Sequence, residues 1–198
     1  MTAYESWLGR KFLLHLHRAR GIVRRYFITN GFDGALTMLG MMTGFYTHAN
    51  TDVAMALSAS MGAAVALFMS GISSAYLSEA AERKKELNEL EQALIKDLTQ
   101  SDYGEASHYL PIIVALVNGF SPLLISLLIM SPLWWVTLGF HLPGSAFVLA
   151  ILIALFTLFL LGMFLGSISK TFWLWAGLRT LAIAILTISI VLLVGRGV

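Results

Sequence analysis

A single carboxylate, Asp33, lies inside an otherwise uncharged run of residues 27–49. A charged side chain at the centre of a membrane helix costs about 2.5–3.5 kcal/mol on insertion scales, so a carboxylate there needs a compensating contact or a function. A deprotonated carboxylate can bind a divalent cation, and protons compete with the cation for its oxygens. Asp33 is therefore a candidate site for a cation or a proton.

Other polar and sulfur-containing side chains share the helical face of Asp33. Steps of three and four residues along a helix place one set of residues on that face: Asn30, Asp33, Thr37, Met41, Gly44 and His48. A helix with such a stripe lines a polar path or packs against polar neighbours. Thr37, Met41 and Asn118, the last in a later run, are further candidate ligands along this path, which also includes Asn30.

Arg179 is the charge inside the last apolar run, eight residues after Thr171. Asp33 lies about six residues past Phe27, or roughly 9 Å of helix, so the two charges would have similar depths. One interpretation is a buried ion pair between Asp33 and Arg179. The other is a cation or proton site, and both hold if the cation displaces the arginine.

Four glutamates follow the second apolar run at steps of three, four and three residues. They are Glu79, Glu82, Glu86 and Glu89, and on a helix they share one flank. Carboxylates suit Mg²⁺, Mn²⁺ and Ca²⁺ and, with softer partners, Fe²⁺. A solvated face neutralised by the interleaved Arg83, Lys84 and Lys85 is the alternative interpretation.

Apolar runs dominate the elements that must position these side chains. Of the 198 residues, 58% are hydrophobic and 12% are charged, and the mean hydropathy is +0.78. Five runs can each cross a hydrocarbon layer of about 30 Å as a helix: residues 27–49, 53–78, 109–133, 144–168 and 171–195. The runs are too long and too continuously apolar for barrel strands. We therefore predict an all-α integral membrane protein with five transmembrane helices in residues 27–198.

The basic residues predict the orientation. Six Lys or Arg residues precede the first run, four follow the second run and Lys170 lies between the last two. The positive-inside rule then places the N-terminus in the cytoplasm and the C-terminus outside. Residues 1–26 are predicted to form a basic amphipathic helix on the inner leaflet, with lipid rather than nucleic acid as its partner.

The second helix is predicted to extend into the cytoplasm as a short acidic helical segment, residues 79–107. No Gly or Pro occurs from Ile72 to Tyr103, and Gly104 is the first residue expected to break the helix. Small residues recur every four positions in the second run: Ser58, Gly62, Ala66, Ser70, Ser74 and Ser78. This spacing, and Gly162 with Gly166, is typical of close helix packing.

Several functional classes lack their sequence signatures. The chain has no cysteine, which excludes disulfides and Cys₄ metal sites. It has no nucleophile–base pair, P-loop or zinc signature, so we expect no enzymatic activity.

Several segments together resemble the vacuolar iron transporter (VIT) family across all five runs. The first carries the Asp-Gly pair Asp33-Gly34, and the second ends in Ser74-Ala75-Tyr76-Leu77-Ser78 leading to Glu82. The third carries Gly119-Phe120-Ser121-Pro122-Leu123-Leu124, and the last two resemble LFLLGMFLGSISK and GLRTLAIAILTISIVLLVGR. Two features differ from the family: its methionine five residues before the tyrosine is Gly71 here, and the acidic segment is shorter.

The resemblance implies a homodimeric five-helix exporter that moves Fe²⁺, and often Mn²⁺, out of the cytosol in exchange for protons. It implies a transport role for Asp33 and a metal-collecting role for Glu82, with no tightly bound cofactor. Such a protein would serve ion homeostasis in a prokaryotic plasma membrane, or in a vacuolar membrane if the source is eukaryotic. The alternative is a non-transporting membrane scaffold whose acidic helix binds a partner protein.

Overall fold

The computed structural model describes residues 3–48, 51–95, 97, 101–141 and 143–195, with the backbone alone for residues 3–20, Asp102 and Ala106. Its regular elements in these ranges are five α-helices. They are α1 (Ala3–Thr47), α2 (Val53–Leu94), α3 (Asp102–Thr137), α4 (Ala146–Ile168) and α5 (Trp173–Gly195).

Four of the described helices are long and apolar enough to cross a membrane: α2, α3 from Tyr103 onward, α4 and α5. The protein is therefore an all-α integral membrane protein, as the composition predicted. Helix α1 is not among the four, because Asn30, Asp33 and several glycines lower the hydropathy of its second half. The fifth membrane crossing, by α1, stays a prediction.

Helix α1 joins the predicted amphipathic segment and the first predicted span without interruption. Its 45 residues correspond to about 68 Å of helix at 1.5 Å per residue, more than twice the hydrocarbon thickness. Part of α1 must therefore lie outside the hydrocarbon layer. The apolar face predicted for residues 1–26 lies largely on side chains outside the described residues, so its amphipathic character stays a prediction.

The acidic segment after the second span is not one helix, contrary to the expectation that α2 continues to Gly104. Helix α2 ends at Leu94 and Ile95 follows with φ 50°. Helix α3 then begins at Asp102, where the Ser101 hydroxyl accepts a hydrogen bond from the Gly104 N–H at 3.2 Å. Ser101 thus caps a new helix, and Gly104 lies inside its first turn rather than at a break. Residues 96 and 98–100, including the predicted apolar position Leu98, lie outside the described residues.

The chain divides into two compact units, and the three long helices each contribute to both. Unit 1 comprises Met1–Phe27 and Met69–Phe120, and unit 2 comprises Ile28–Phe68 and Ser121–Val198. In unit 1 a small apolar core forms around Ala75, Val114 and Ala115. The larger core of unit 2 takes buried side chains from all five helices, among them Met38, Leu39, Met42, Ile129, Met130, Leu133 and Leu158.

Helices α4 and α5 form a closely packed antiparallel pair in unit 2. A Cβ added to Gly166 would lie 2.6 Å from the Ala176 Cβ, and one on Gly177 would lie 2.7 Å from Phe159 Cδ2. The Thr180 hydroxyl lies 2.9 Å from the Leu158 carbonyl oxygen across the interface, and it can donate a hydrogen bond there. Gly166 thus has the packing role that its spacing from Gly162 predicted.

Candidate functional site

Asp33 is exposed on α1 in unit 2, and its neighbour Gly34, about 100° away around the helix, is buried. A Cβ added to Gly34 would lie 2.7 Å from the carbonyl oxygen of Pro122 and 2.8 Å from its Cα. Both distances are shorter than real Cβ contacts, so only glycine fits there. The close approach of α1 to the Pro122 turn of α3 fixes the rotation of α1, and that rotation turns the Asp33 carboxylate outward.

The structure does not bring Asp33 and Arg179 into an ion pair. Both side chains are exposed, and neither is among the ion pairs or side-chain hydrogen bonds of the described residues. The described chain therefore offers no internal partner for the carboxylate. Of the two interpretations of Asp33, the ion pair with Arg179 gains no support from the geometry.

The other residues of the predicted stripe follow the same side of α1. Asn30, Thr37 and Met41 are half-buried, whereas residues on the other side of the helix, such as Met38 and Met42, are fully buried in the core. The stripe is thus the less buried side of α1 in unit 2, and its Met41 also packs against the core. At its end, His48 Nδ1 lies 2.9 Å from the Gly44 carbonyl oxygen, so the imidazole is placed at the C-terminus of the helix.

Asn118 belongs to unit 1, where its amide is used in helix packing. Its Nδ2 donates a hydrogen bond to the Gly71 carbonyl oxygen at 2.8 Å, and only 6% of the residue is exposed. A Cβ added to Gly71 would lie 2.9 Å from the Asn118 carbonyl oxygen and 3.0 Å from the Gly119 Cα. There is no room at position 71 for the methionine of the resembling family, which explains physically why glycine stands there.

The acidic flank of α2 is organised around Arg83, in unit 1. The guanidinium bonds Glu79 Oε2 at 3.3 Å through Nη2, and it bonds Glu86 through Nη1. Two tyrosines complete the network: the Tyr26 hydroxyl donates to Glu79 at 3.1 Å, and the Tyr103 hydroxyl donates to Glu86 at 3.3 Å. Burial and the Glu79 carboxylate raise the pKa of Tyr26, which keeps its hydroxyl protonated as the donor.

The four predicted glutamates are not gathered into one ligand set. Glu82 is exposed, and Glu89 lies 4.0 Å from Lys85 Nζ on an exposed surface. Within the described ranges, no group of three or more His, Asp or Glu side chains is placed to hold a metal ion. Arg83 thus takes the position between Glu79 and Glu86 that a cation would need, and the metal-collecting role of the flank stays a prediction.

Sequence reasoning named Arg83 among the basic residues that could neutralise the flank, and its spacing from Glu79 and Glu86 is one at which helical side chains meet. It missed the contact between Gly71 and Asn118. No local signal could have indicated that contact, because the two residues are 47 positions apart.

The comparisons with known proteins place this chain beside an archaeal relative. It is 30% identical over 169 residues to the uncharacterized protein MJ0645 of Methanocaldococcus jannaschii, which covers 82% of this chain and 85% of the relative. The chain belongs to the same family as MJ0645. No protein-family model matches the chain. The resemblance to vacuolar iron transporters accordingly stays an expectation from the motifs.

Proposed function

We propose that this protein is a proton-coupled exporter of divalent metal cations, Fe²⁺ or Mn²⁺, that moves its cargo out of the cytosol. The observation that carries the proposal is the carboxylate of Asp33, which is exposed on an apolar segment of α1 and has no ion-pair partner in the described part of the chain. Lipid strongly disfavours such a group, so a polar cavity or a cargo ion must compensate it.

The mechanism that fits this placement is competition between protons and metal at one carboxylate. Deprotonated Asp33 binds the cation from the cytoplasmic side, and an acidic exterior protonates the carboxylate and releases the cation. Asn30, Thr37 and Met41 lie along the same less buried side of α1 and supply further ligands, whereas Asn118 and Arg179 are assigned to the path by sequence alone. The motif resemblance to vacuolar iron transporters supports the same function.

The working unit we propose is a homodimer with five membrane crossings per chain, the N-terminus in the cytoplasm and the C-terminus outside. Two exposed features support the dimer. One is Asp33, and the other is the stripe of small residues on α2, whose members Ser58, Gly62, Ala66, Ser70, Ser74 and Ser78 are all exposed in the single chain. A second copy would cover a face where small side chains allow helices to approach closely. The shortened acidic segment suits a prokaryotic plasma membrane.

The decisive experiment reconstitutes the full chain in liposomes with an acidic lumen and measures uptake of Fe²⁺ or Mn²⁺. Asp33→Asn keeps the size of the side chain but removes its charge, and we expect it to abolish uptake. Asp52→Asn is the matched control, because Asp52 is an exposed acid at the start of α2 that accepts the Ala54 N–H at 3.3 Å. Full uptake by Asp33→Asn would refute the assignment of Asp33.

Cytoplasmic collection of the metal is assigned to Glu79, Glu82, Glu86 and Glu89. We expect the double variant Glu82→Gln with Glu86→Gln to weaken Mn²⁺ binding in calorimetry. We also expect Arg83→Gln to strengthen it, because the guanidinium now occupies the oxygens of Glu79 and Glu86 that a metal would need. Unchanged binding in both variants would support the alternative interpretation, in which the flank is a solvated face neutralised by its basic residues.

A second candidate function is a non-transporting scaffold whose acidic helix binds a partner protein. The exposed Glu82, Lys85 and Glu89 on α2 favour it, since their steps of three and four residues leave one charged face of the helix uncovered. The liposome assay separates the two functions: a wild-type protein that takes up no metal under any pH gradient would support the scaffold.

A further inference from the structure

A groove of about 420 Å³ lies in unit 1 between the acidic part of α2 and the first turns of α3. Its floor is apolar, with Ala80, Leu87 and Pro111. Lys84 and His108 also line it, with the polar side chains of Asn88 and Ser107 and the acid Glu91 beside them. The groove therefore combines a small apolar surface with groups that bind anions.

The side chains of Lys84 and His108 are both available to a ligand in this groove. Lys84 is exposed and takes part in no ion pair among the described residues, although acids surround it along α2. Its neighbours differ: Arg83 is held by Glu79 and Glu86, and Lys85 lies 4.0 Å from Glu89. The His108 ring is also exposed, and it has no hydrogen-bond partner within the described ranges. The acid in the lining, Glu91, takes part in an interaction of its own.

The position of the groove identifies the anion. Tyr76, in its lining, stands near the end of the second apolar run, and Pro111 stands near the start of the third. Tyr76 and Tyr109 are 46% and 48% exposed at this level, and exposed tyrosines are typical of the layer where lipid headgroups meet water. Basic pockets between transmembrane helices at this depth suit lipid phosphates.

We propose that this groove binds the phosphate of an anionic phospholipid headgroup, with Lys84 as its cationic contact and the His108 ring as a hydrogen-bonding contact. Asn88 is placed to donate a hydrogen bond to the phosphate or to a headgroup hydroxyl, while an acyl chain follows the apolar surface beside Pro111. The lipid would fasten the start of α3 to the end of the membrane part of α2. The proposal does not depend on metal transport.

The test measures retention of phosphatidylglycerol by the full chain, using native mass spectrometry after exchange from phosphatidylcholine nanodiscs. Lys84→Gln should retain phosphatidylglycerol about fivefold less, the effect of roughly one cationic contact near a membrane surface. Lys85→Gln removes the same charge one residue away, outside the groove, and should retain it like the wild type. His108→Gln should also lower retention, and Lys84→Arg should restore it.

Each other outcome overturns the proposal. Equal losses in Lys84→Gln and Lys85→Gln would show general attraction to a basic surface, and no loss in either would show that the groove is not a lipid site. Displacement of phosphatidylglycerol by excess inorganic phosphate, with no preference for lipid, would assign the groove to a free anion. The melting temperature in phosphatidylcholine verifies folding, and His108→Gln carries the test if Lys84→Gln does not fold.

Discussion

The side-chain amide of Asn118 in α3 donates a hydrogen bond to the carbonyl oxygen of Gly71 in α2 at 2.8 Å. The contact is reciprocal, since the missing side chain of Gly71 lets the backbone of Asn118 and Gly119 come close. Pro122 lies one helical turn further on and has no N–H, so the Asn118 carbonyl cannot receive the usual hydrogen bond from that position. The Asn118 side chain and Gly71 therefore hold α2 against the part of α3 where Pro122 interrupts the backbone hydrogen-bond pattern.

Adding a side chain at Gly71 should destabilise the protein. In Gly71→Ala the new Cβ would meet backbone atoms at 2.9 and 3.0 Å, which cannot move without shifting the helix. We expect a loss of about 1–3 kcal/mol in the free energy of unfolding, measured by chemical denaturation in detergent. Gly21→Ala is the control: no atom lies within 4 Å of a Cβ added there, so the same substitution should be neutral or stabilising. Equal effects at the two positions would contradict the close contact at Gly71.

Removing the guanidinium of Arg83 should destabilise the part of α2 around Glu79 more than removing the ammonium group of Lys85. The Glu79 side chain is only 11% exposed and depends on Arg83 and Tyr26 for its hydrogen bonds. Arg83→Gln should therefore cost about 1.5–3 kcal/mol, as for hydrogen bonds to charged groups. Lys85→Gln, which breaks an exposed pair, should cost less than about 1 kcal/mol. Hydrogen exchange of the α2 amides near Glu79 measures both, and equal protection in the two variants would exclude the network.

The membrane helices were predictable because hydropathy is a local property of the chain. The runs at residues 144–168 and 171–195 coincide with α4 (Ala146–Ile168) and α5 (Trp173–Gly195) to within two residues at each start. The end of α2 was not predictable in the same way, because Ile95 takes φ 50°, a conformation that a β-branched residue rarely adopts. Ser101, which caps the start of α3, is a helix-start signal in the sequence that the absence of Gly and Pro does not reveal.

The candidate site was predictable only as a set of residue types. The carboxylate of Asp33 and the acidic flank are visible in sequence, but which way they face depends on packing. The close contact of Gly34 with Pro122 decides which way Asp33 faces. The ion pairs of Arg83 decide how the acidic flank is arranged. Gly71 pairs with a residue 47 positions away, so no local pattern could have distinguished it from Gly62, the other glycine of α2, where an added Cβ would meet no atom within 4 Å.

The hydrogen bond between α4 and α5 should have a measurable but small effect on stability. The Thr180 hydroxyl lies 2.9 Å from the Leu158 carbonyl of the other helix and 2.8 Å from the Gly177 carbonyl of its own. Thr180→Val keeps the shape and removes the donor, and we expect a loss of about 0.6 kcal/mol, with an upper limit of about 1.7 kcal/mol. Thr187→Val is the control, because Thr187 bonds only the Ile183 carbonyl within α5. A larger loss for Thr187→Val would contradict the interhelical bond.

Topology can be tested cleanly because the chain has no cysteine of its own. A cysteine at Ser145, the residue before α4, should react with an impermeant thiol reagent added outside intact cells. Ser145 makes no side-chain capping bond, so the substitution should be tolerated. A cysteine at Gln92 in α2 should react only after the cells are opened. The reverse pattern would invert the orientation inferred from the basic residues.

The stability of Asp33 variants distinguishes a cation site from a structural ion pair without any transport assay. Asp33 is exposed and makes no ion pair in the described chain. Asp33→Asn should therefore change the free energy of unfolding by less than about 0.5 kcal/mol, as at other exposed positions, or should raise it. An increase would follow from removing a charge from an apolar surface. Arg179→Leu should be similarly mild, and the two changes should be additive. A structural ion pair predicts the opposite: Asp33→Asn destabilises the protein, and Arg179→Leu rescues it. Thermal denaturation of the single and double variants in detergent, with Asp52→Asn as the control acid, therefore decides whether the carboxylate is held by an arginine or left for a cation.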